Sequence, residues 1–124
     1  MTDLTTLTGG AQRIAADADA LALMDIPPHS FANVIWRTGW DWNRARSAYS
    51  VYKARVTGEL DPDCRMVLDA MRKADQIIPP KEIIMLADLS RSSASHALNE
   101  LTVLGLVERT GHGQYRVAPT PRSA

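Results

Sequence analysis

Cysteine is almost missing: Cys64 is the only one among 124 residues, so no intrachain disulfide can form. A lone thiol suits a reducing interior, and a cytoplasmic location is expected. Neither sign of charge is in excess, with 14 Lys and Arg against 14 Asp and Glu. That balance excludes a histone-like protein that coats nucleic acid by bulk charge. With 45% hydrophobic and 23% charged residues, the composition also excludes a disordered polyelectrolyte and a collagen-like fibre. No apolar run approaches the ~20 residues that span a bilayer, so no membrane partner is expected. The opening Met1-Thr2-Asp3-Leu4 lacks a basic region and is not expected to act as a secretory signal. What remains is a globular chain, long enough for one compact domain or two very small ones.

The zero total hides an uneven distribution. Residues 1–30 hold one cation against four acids, and residues 31–60 hold five cations against two acids. Residues 61–90 hold four against six, and residues 91–124 hold four against two. Binding to a polyanion needs local positive surface rather than a positive total. Two modest basic stretches meet that condition.

Residues 1–8 carry four threonines and no helical period, which predicts a frayed terminus. From about Gly10 to Met24, Ala11, Ile14, Ala15, Ala18, Leu21 and Ala22 recur at three- and four-residue steps, predicting an amphipathic helix that Pro27-Pro28 ends. Phe31, Val34 and Ile35 continue the period in a second helix, closed by Gly39 in a left-handed conformation. Asp41 is the expected N-cap of a third helix with a buried stripe of Ala45, Ala48, Tyr49, Tyr52 and Val56, followed by Gly58.

Gly58-Glu59-Leu60-Asp61 reads as a hinge. Asp61-Pro62-Asp63 combines a cap, a proline at the first helical position and an acid in the first turn, so a helix starts there. Its expected apolar face is Met66, Val67, Ala70, Met71 and Ala74. A short β-type run follows at Ile77-Ile78, then a helix from Lys81 to Ala87 with Ile83, Ile84 and Leu86 available for burial, and a turn at Asp88-Leu89-Ser90. The next helix runs from about Ser92 to Leu104, burying Ala94, Ala97, Leu98 and Leu101, and Gly105 stops it. Two alternating runs, 106–109 and 114–117, flank the turn 110–113 and predict a β-hairpin. The tail from Pro119 is expected to be loose.

The order of elements from Asp63 to Val117 resembles a winged helix-turn-helix domain. The spacing Leu89-Ser90-x-Ser92-x-x-Ser95-x-x-Leu98-x-x-Leu101, and the stretch Leu104-Gly105-Leu106-Val107-Glu108-Arg109, are similar to those of MarR-like regulators. Two positions depart from that pattern: Ile84 stands where alanine is common, and Asp88 stands where the turn usually has glycine. The resemblance covers residues 63–117 and implies a winged helix-turn-helix with a two-stranded β wing; with the periodic helices before it, the expected fold is mainly α, an N-terminal helical subdomain followed by that domain. The expected division is 1–60 as a helical, dimerising region, 61–118 as the DNA-binding domain and 119–124 as tail.

The residues themselves support a DNA interface. One face of helix 92–104 is apolar, and the other shows Ser92, Ser93, Ser95, His96 and Asn99, short groups that do not hold a helix out of a groove. A major groove ~12 Å wide admits one helix and presents distinct donor and acceptor patterns. Asn99 suits a bidentate pair with adenine, while His96 and the serines can read bases or bridge through water. Ser92 and Ser93, at the helix N-terminus, favour a phosphate, with Arg91 and Lys81 as clamps on the backbone. Arg109, His112, Gln114 and Arg116 place donors along the wing. The partner so implied is double-stranded DNA, and no cofactor is expected.

Other constellations carry less. Ser92, His96 and Glu100 fall at i, i+4 and i+8, but a convex helix face offers no pocket and no oxyanion donors, so no enzyme is expected. His29, Cys64, His96 and His112 have no ligand spacing, and no metal site is expected. Cys64 beside Arg65 reads either as a redox sensor or as a small helix side chain. Phe31, Trp36, Trp40, Trp42, Tyr49 and Tyr52 are six of the seven aromatics, packed into 22 residues. They read as the core of a small helical subdomain or as a homodimer surface. A third reading makes segments 29–38 and 41–57 another helix-turn-helix, with Arg46, Ser50 and Lys53 as its basic face.

The expectation for the whole chain is therefore a bacterial or phage-type transcriptional regulator, most simply a repressor that occludes its site. The rivals are a winged-helix protein-interaction module, which zero net charge favours, and a phage or plasmid replication or packaging factor.

Overall fold

The computed structural model describes residues 9–74, 79–110 and 114–118. Among them are helices α1 (Gly9–Leu23), α2 (Phe31–Thr38), α3 (Trp42–Thr57), α4 (Pro62–Ala74), α5 (Pro80–Ala87) and α6 (Arg91–Val103), and strands β1 (Val107–Arg109) and β2 (Tyr115–Val117). The chain is mainly α: a helical N-terminal part precedes a helix-turn-helix and a two-stranded antiparallel wing. Contacts divide it into two compact units, Met1–Asp61 and Pro62–Ala124. The expected frayed terminus, the run Ile77-Ile78, the turn 111–113 and the tail lie outside the described residues.

In the first unit α1 packs on α3. Ala11, Ala15, Ala18 and Leu21 meet Ala45, Ala48, Val51 and Tyr52, all buried, and the alanines let the two backbones approach closely. Helix α1 closes on Asp25, which takes a left-handed φ of 56°. Its N–H donates to Ala22 O, and the Ile26 N–H donates to Leu21 O. This is the Schellman closure, and its apolar pair, Leu21 and Ile26, is buried. Asp41 caps α3, accepting from the Arg44 N–H over 2.9 Å, and Gly39 and Gly58 end α2 and α3 at φ 72° and 80°, as expected.

Four of the five cations of the basic stretch 31–60 are paired with acids within this unit. Arg44 grips Asp17 with Nε and Nη2, both at 2.9 Å, and Arg55 reaches Asp19 at 3.0 Å. Arg46 pairs with Asp61 at 3.4 Å, and Lys53 with Glu59 at 3.5 Å. The Asp17 carboxylate, nearly buried, accepts the two Arg44 hydrogen bonds and raises the guanidinium above its ordinary pKa.

In the second unit α4 is the spine against which α5 and α6 pack. Cys64, Val67, Leu68 and Met71 of α4 meet Ile83 and Ala87 of α5 and Ala94, Ala97, Leu98 and Leu101 of α6. Each large aliphatic side chain sealed here contributes about 1.5–3 kcal/mol.

Four expected core positions are corrected, the first being Ala22, which stands beside the α1 packing line and is exposed. Val56, Met66 and Leu86 are 54%, 42% and 56% exposed. On α3 the buried stripe runs through Ala45, Ala48, Val51 and Tyr52 and ends there, and both Arg55 and Val56 in the following turn face solvent. On α4 the seam runs through Cys64, Val67, Leu68 and Met71, which turns Met66 outward. On α5 the buried pair is Ile83 and Ala87, one turn apart, and Leu86 falls beside that line.

Candidate nucleic-acid interface

The turn between α5 and α6 is built on Asp88. It adopts φ 56° and ψ 45°, its N–H donates to Met85 O, and the Leu89 N–H donates to Ile84 O. Asp therefore fills the left-handed position where glycine is usual, a backbone that its short polar side chain tolerates. Ser90 then caps α6: its Oγ accepts from the Ser93 N–H over 3.1 Å. At the far end the Gly105 N–H donates to Thr102 O and the Leu106 N–H to Leu101 O, with Gly105 at φ 78°. The same Schellman pair of bonds that ends α1 and α5 thus turns the chain out of α6 into β1.

These two ends fix which side of α6 faces outward. Arg91, Ser92 and Ser95 are exposed, and Ser93, His96 and Asn99 are half-buried. Lys81, in the first turn of α5, is exposed too. On the wing Val107 pairs with Val117, Glu108 with Arg116 and Arg109 with Tyr115. Arg109 is exposed and Gln114 half-buried. Arg116 is exposed but engaged, its Nε 2.7 Å from Glu108 Oε2. His112 lies outside the described residues.

The other candidate residues separate. Ser50 is buried, and Arg46 and Lys53 are ion-paired, so these three do not form an open basic face. Of the aromatics, Tyr52 is core and its hydroxyl donates to Ile26 O, while the Tyr49 hydroxyl donates to Pro28 O over 2.6 Å. Phe31 is edge-on to Trp42 at 6.1 Å and tilted against Tyr49 at 5.3 Å. The Arg44 guanidinium lies 4.2 Å from the Trp40 ring centre, and Arg46 lies 5.5 Å from that of Trp42. Trp36 is 86% exposed and Trp42 58%.

Glu100 was expected on the outer face of α6 and is instead buried at its root. The Cys64 thiol, fully buried, donates to Glu100 Oε1 at 3.3 Å. The seclusion of Glu100 breaks up the line of Ser92, His96 and Glu100, and the burial of Cys64 removes the access that an oxidant would need. The signal for Glu100 was its place three residues after Ala97 and one before Leu101, on the packing line itself. Among the described residues no group of His, Cys, Asp and Glu is placed to hold a metal, and no helix is long and apolar enough to cross a membrane.

A capped helix displayed beyond a tight turn, with a hairpin after it, defines a winged helix-turn-helix module of the kind found in DNA-binding transcription regulators. Residues 66–111 match the IclR helix-turn-helix domain. The match takes in α5, the turn, α6 and β1, and is of the IclR type, where the motif spacing had resembled the MarR-like regulators. No curated protein and no solved structure gives a significant match to the chain.

Proposed function

We propose that the chain is a sequence-specific repressor that seats α6 in the major groove of double-stranded DNA, with the β1–β2 wing along the adjacent minor groove. The observation that carries this reading is the two-sided build of α6. Ala94, Ala97, Leu98 and Leu101 are sealed against the unit, while Ser92, Ser95, His96 and Asn99 lie on the open side. Asn99 and His96 then read base edges, and Arg91, Lys81 and the N-terminal amides of α6 hold phosphates. Arg109 and Gln114 serve the wing. Repression follows from occlusion of the bound site.

The N-terminal unit serves self-association in this reading. Four of its six cations are spent on its own acids, and it exposes Trp36 and Trp42, the aromatic type of side chain that anchors protein interfaces. A two-fold dimer would address half-sites one helical turn apart, ~34 Å.

Selection of bound sequences from a random duplex pool, at low and at high salt, tests the reading. A palindromic consensus that survives the salt step supports it. Salt-sensitive recovery without a consensus reduces the activity to non-specific binding. No recovery at low salt overturns it in favour of a protein-interaction module.

A further inference from the structure

A cleft of about 480 Å³ opens between α5, α6 and β2. Ile84, Ala94, Leu98 and Tyr115 make its walls, with Ala94 and Leu98 buried and the other two half-exposed to the opening. Lys81, Arg91 and Ser95 also line it, all three solvent-exposed. The volume lies within the range of roughly 300–1,000 Å³ typical of small-molecule sites, and apolar walls with a few polar groups are the usual composition of such sites.

Two cations border this cleft and are not spent on acids, unlike Arg44, Arg46, Lys53 and Arg55 in the first unit and Arg116 on the wing. Lys81 and Arg91 form no ion pair with any described residue, yet both border one apolar hollow. Placing uncompensated positive charge beside apolar walls favours an occupant with the opposite arrangement: an apolar body and an anionic head.

We propose that this cleft binds a small amphipathic organic anion, an aromatic or aliphatic body bearing a carboxylate, sulfonate or phosphate. The body lies on Ile84, Leu98 and Tyr115, and the head is held by Lys81 and Arg91 with the Ser95 hydroxyl as a further donor. The consequence for DNA rests on the reading proposed above. Lys81, Arg91 and Ser95 belong to the DNA-facing surface, so the anion and the duplex exclude each other directly, and ligand binding lifts repression without a change of shape passing through the protein.

The probe is 8-anilinonaphthalene-1-sulfonate, with N-phenyl-1-naphthylamine as the same ring system without the charge. Fluorescence titration of the full chain is expected to show the sulfonate binding at least tenfold tighter than the neutral amine. The double variant Lys81→Ala/Arg91→Ala changes two exposed side chains and is expected to leave the circular dichroism unaltered. It is expected to weaken the sulfonate about tenfold, a loss of about 1.4 kcal/mol, and to leave the neutral amine unchanged. Ile84→Trp, which fills the hollow, is expected to weaken both dyes and to spare duplex binding. Equal affinity for the two dyes, or sulfonate binding indifferent to the double variant, overturns the site.

The two readings fail separately. Duplex binding with no charge-dependent dye site refutes the anion proposal and leaves the DNA reading standing. Charge-dependent dye binding without any duplex affinity does the reverse. When both are present, the consensus duplex displaces the sulfonate dye; simultaneous binding overturns the proposed competition.

Discussion

Arg116 on β2 and Glu108 on β1 face each other in register and are joined by a 2.7 Å bond from Nε to Oε2. Both side chains are nearly half exposed, so the pair adds little to stability, ~0.2–1 kcal/mol. Its effect falls on the wing's charge: Glu108 offsets a cation that would otherwise be offered to a phosphate. Glu108→Gln is therefore expected to strengthen duplex binding and to steepen the dependence of log affinity on log salt by about one contact, ~0.9 in slope. Anisotropy titrations at several salt concentrations measure both. An unchanged slope would place Arg116 away from the DNA.

Base reading and phosphate holding separate by their signatures. Asn99→Ala is expected to cost about 1–3 kcal/mol on the consensus duplex and to relax preference at one base position. Arg91→Ala is expected to weaken all duplexes alike and to lower the salt slope by about one. Competition titrations against single-base variants of the selected site separate the two behaviours.

Ser50 is buried on α3, and its hydroxyl has no hydrogen-bond partner among the described residues. An unsatisfied buried hydroxyl costs about 1–3 kcal/mol, so Ser50→Ala is expected to raise the melting temperature. A lower value in thermal denaturation would mean that the hydroxyl has found a partner in solution.

Tyr49 donates to Pro28 O, and burial raises its pKa above the ordinary 10.0. The folded state then holds this proton more firmly than the unfolded state, so stability is undiminished below pH 10. It declines as pH rises from there through the folded value. Tyr49→Phe is expected to cost about 1 kcal/mol at neutral pH, through the lost hydrogen bond, and to make the alkaline decline shallower. Denaturant melts between pH 8 and pH 11.5 follow both effects.

Trp36, 86% exposed, contributes little to the fold of its own unit. Trp36→Ala is expected to leave the unfolding free energy of the monomer within about 0.5 kcal/mol of wild type and to weaken self-association by about 2 kcal/mol or more. Sedimentation equilibrium over a range of concentrations reads the second effect, and an unaltered association constant excludes this side chain from the interface.

Much of the fold was legible because local chemistry and long-range packing agreed. Asp41, Gly39, Gly58 and Gly105 punctuate the helices where their side chains or their left-handed backbones direct, while Ser90, read as part of a turn, proves to be the cap of α6. Alternation on both sides of the turn set the hairpin and its pairing. Periodicity misjudged Val56, Met66 and Leu86 because it counts apolar residues without knowing which line the neighbouring helix will select. The same blindness hid Glu100 and Asp17, acids on packing lines that are accepted in the interior by a thiol and an arginine. The outward side of α6 was readable from its serines. The loss of Arg46 and Lys53 to internal pairing was not, since Asp61 and Glu59 are brought to them only by the folded chain.

The internal cancellation of charge in the N-terminal unit has a kinetic meaning. Long-range attraction between a protein and a polyanion arises from uncompensated field, and here four of the cations are already answered by their neighbours. The N-terminal unit therefore adds little steering, and attraction toward a duplex falls to Lys81 and Arg91 of the second unit, which pair with no acid among the described residues. The two units thus divide the work of charge: one keeps four cations for its own acids, and the other keeps two for the solvent side.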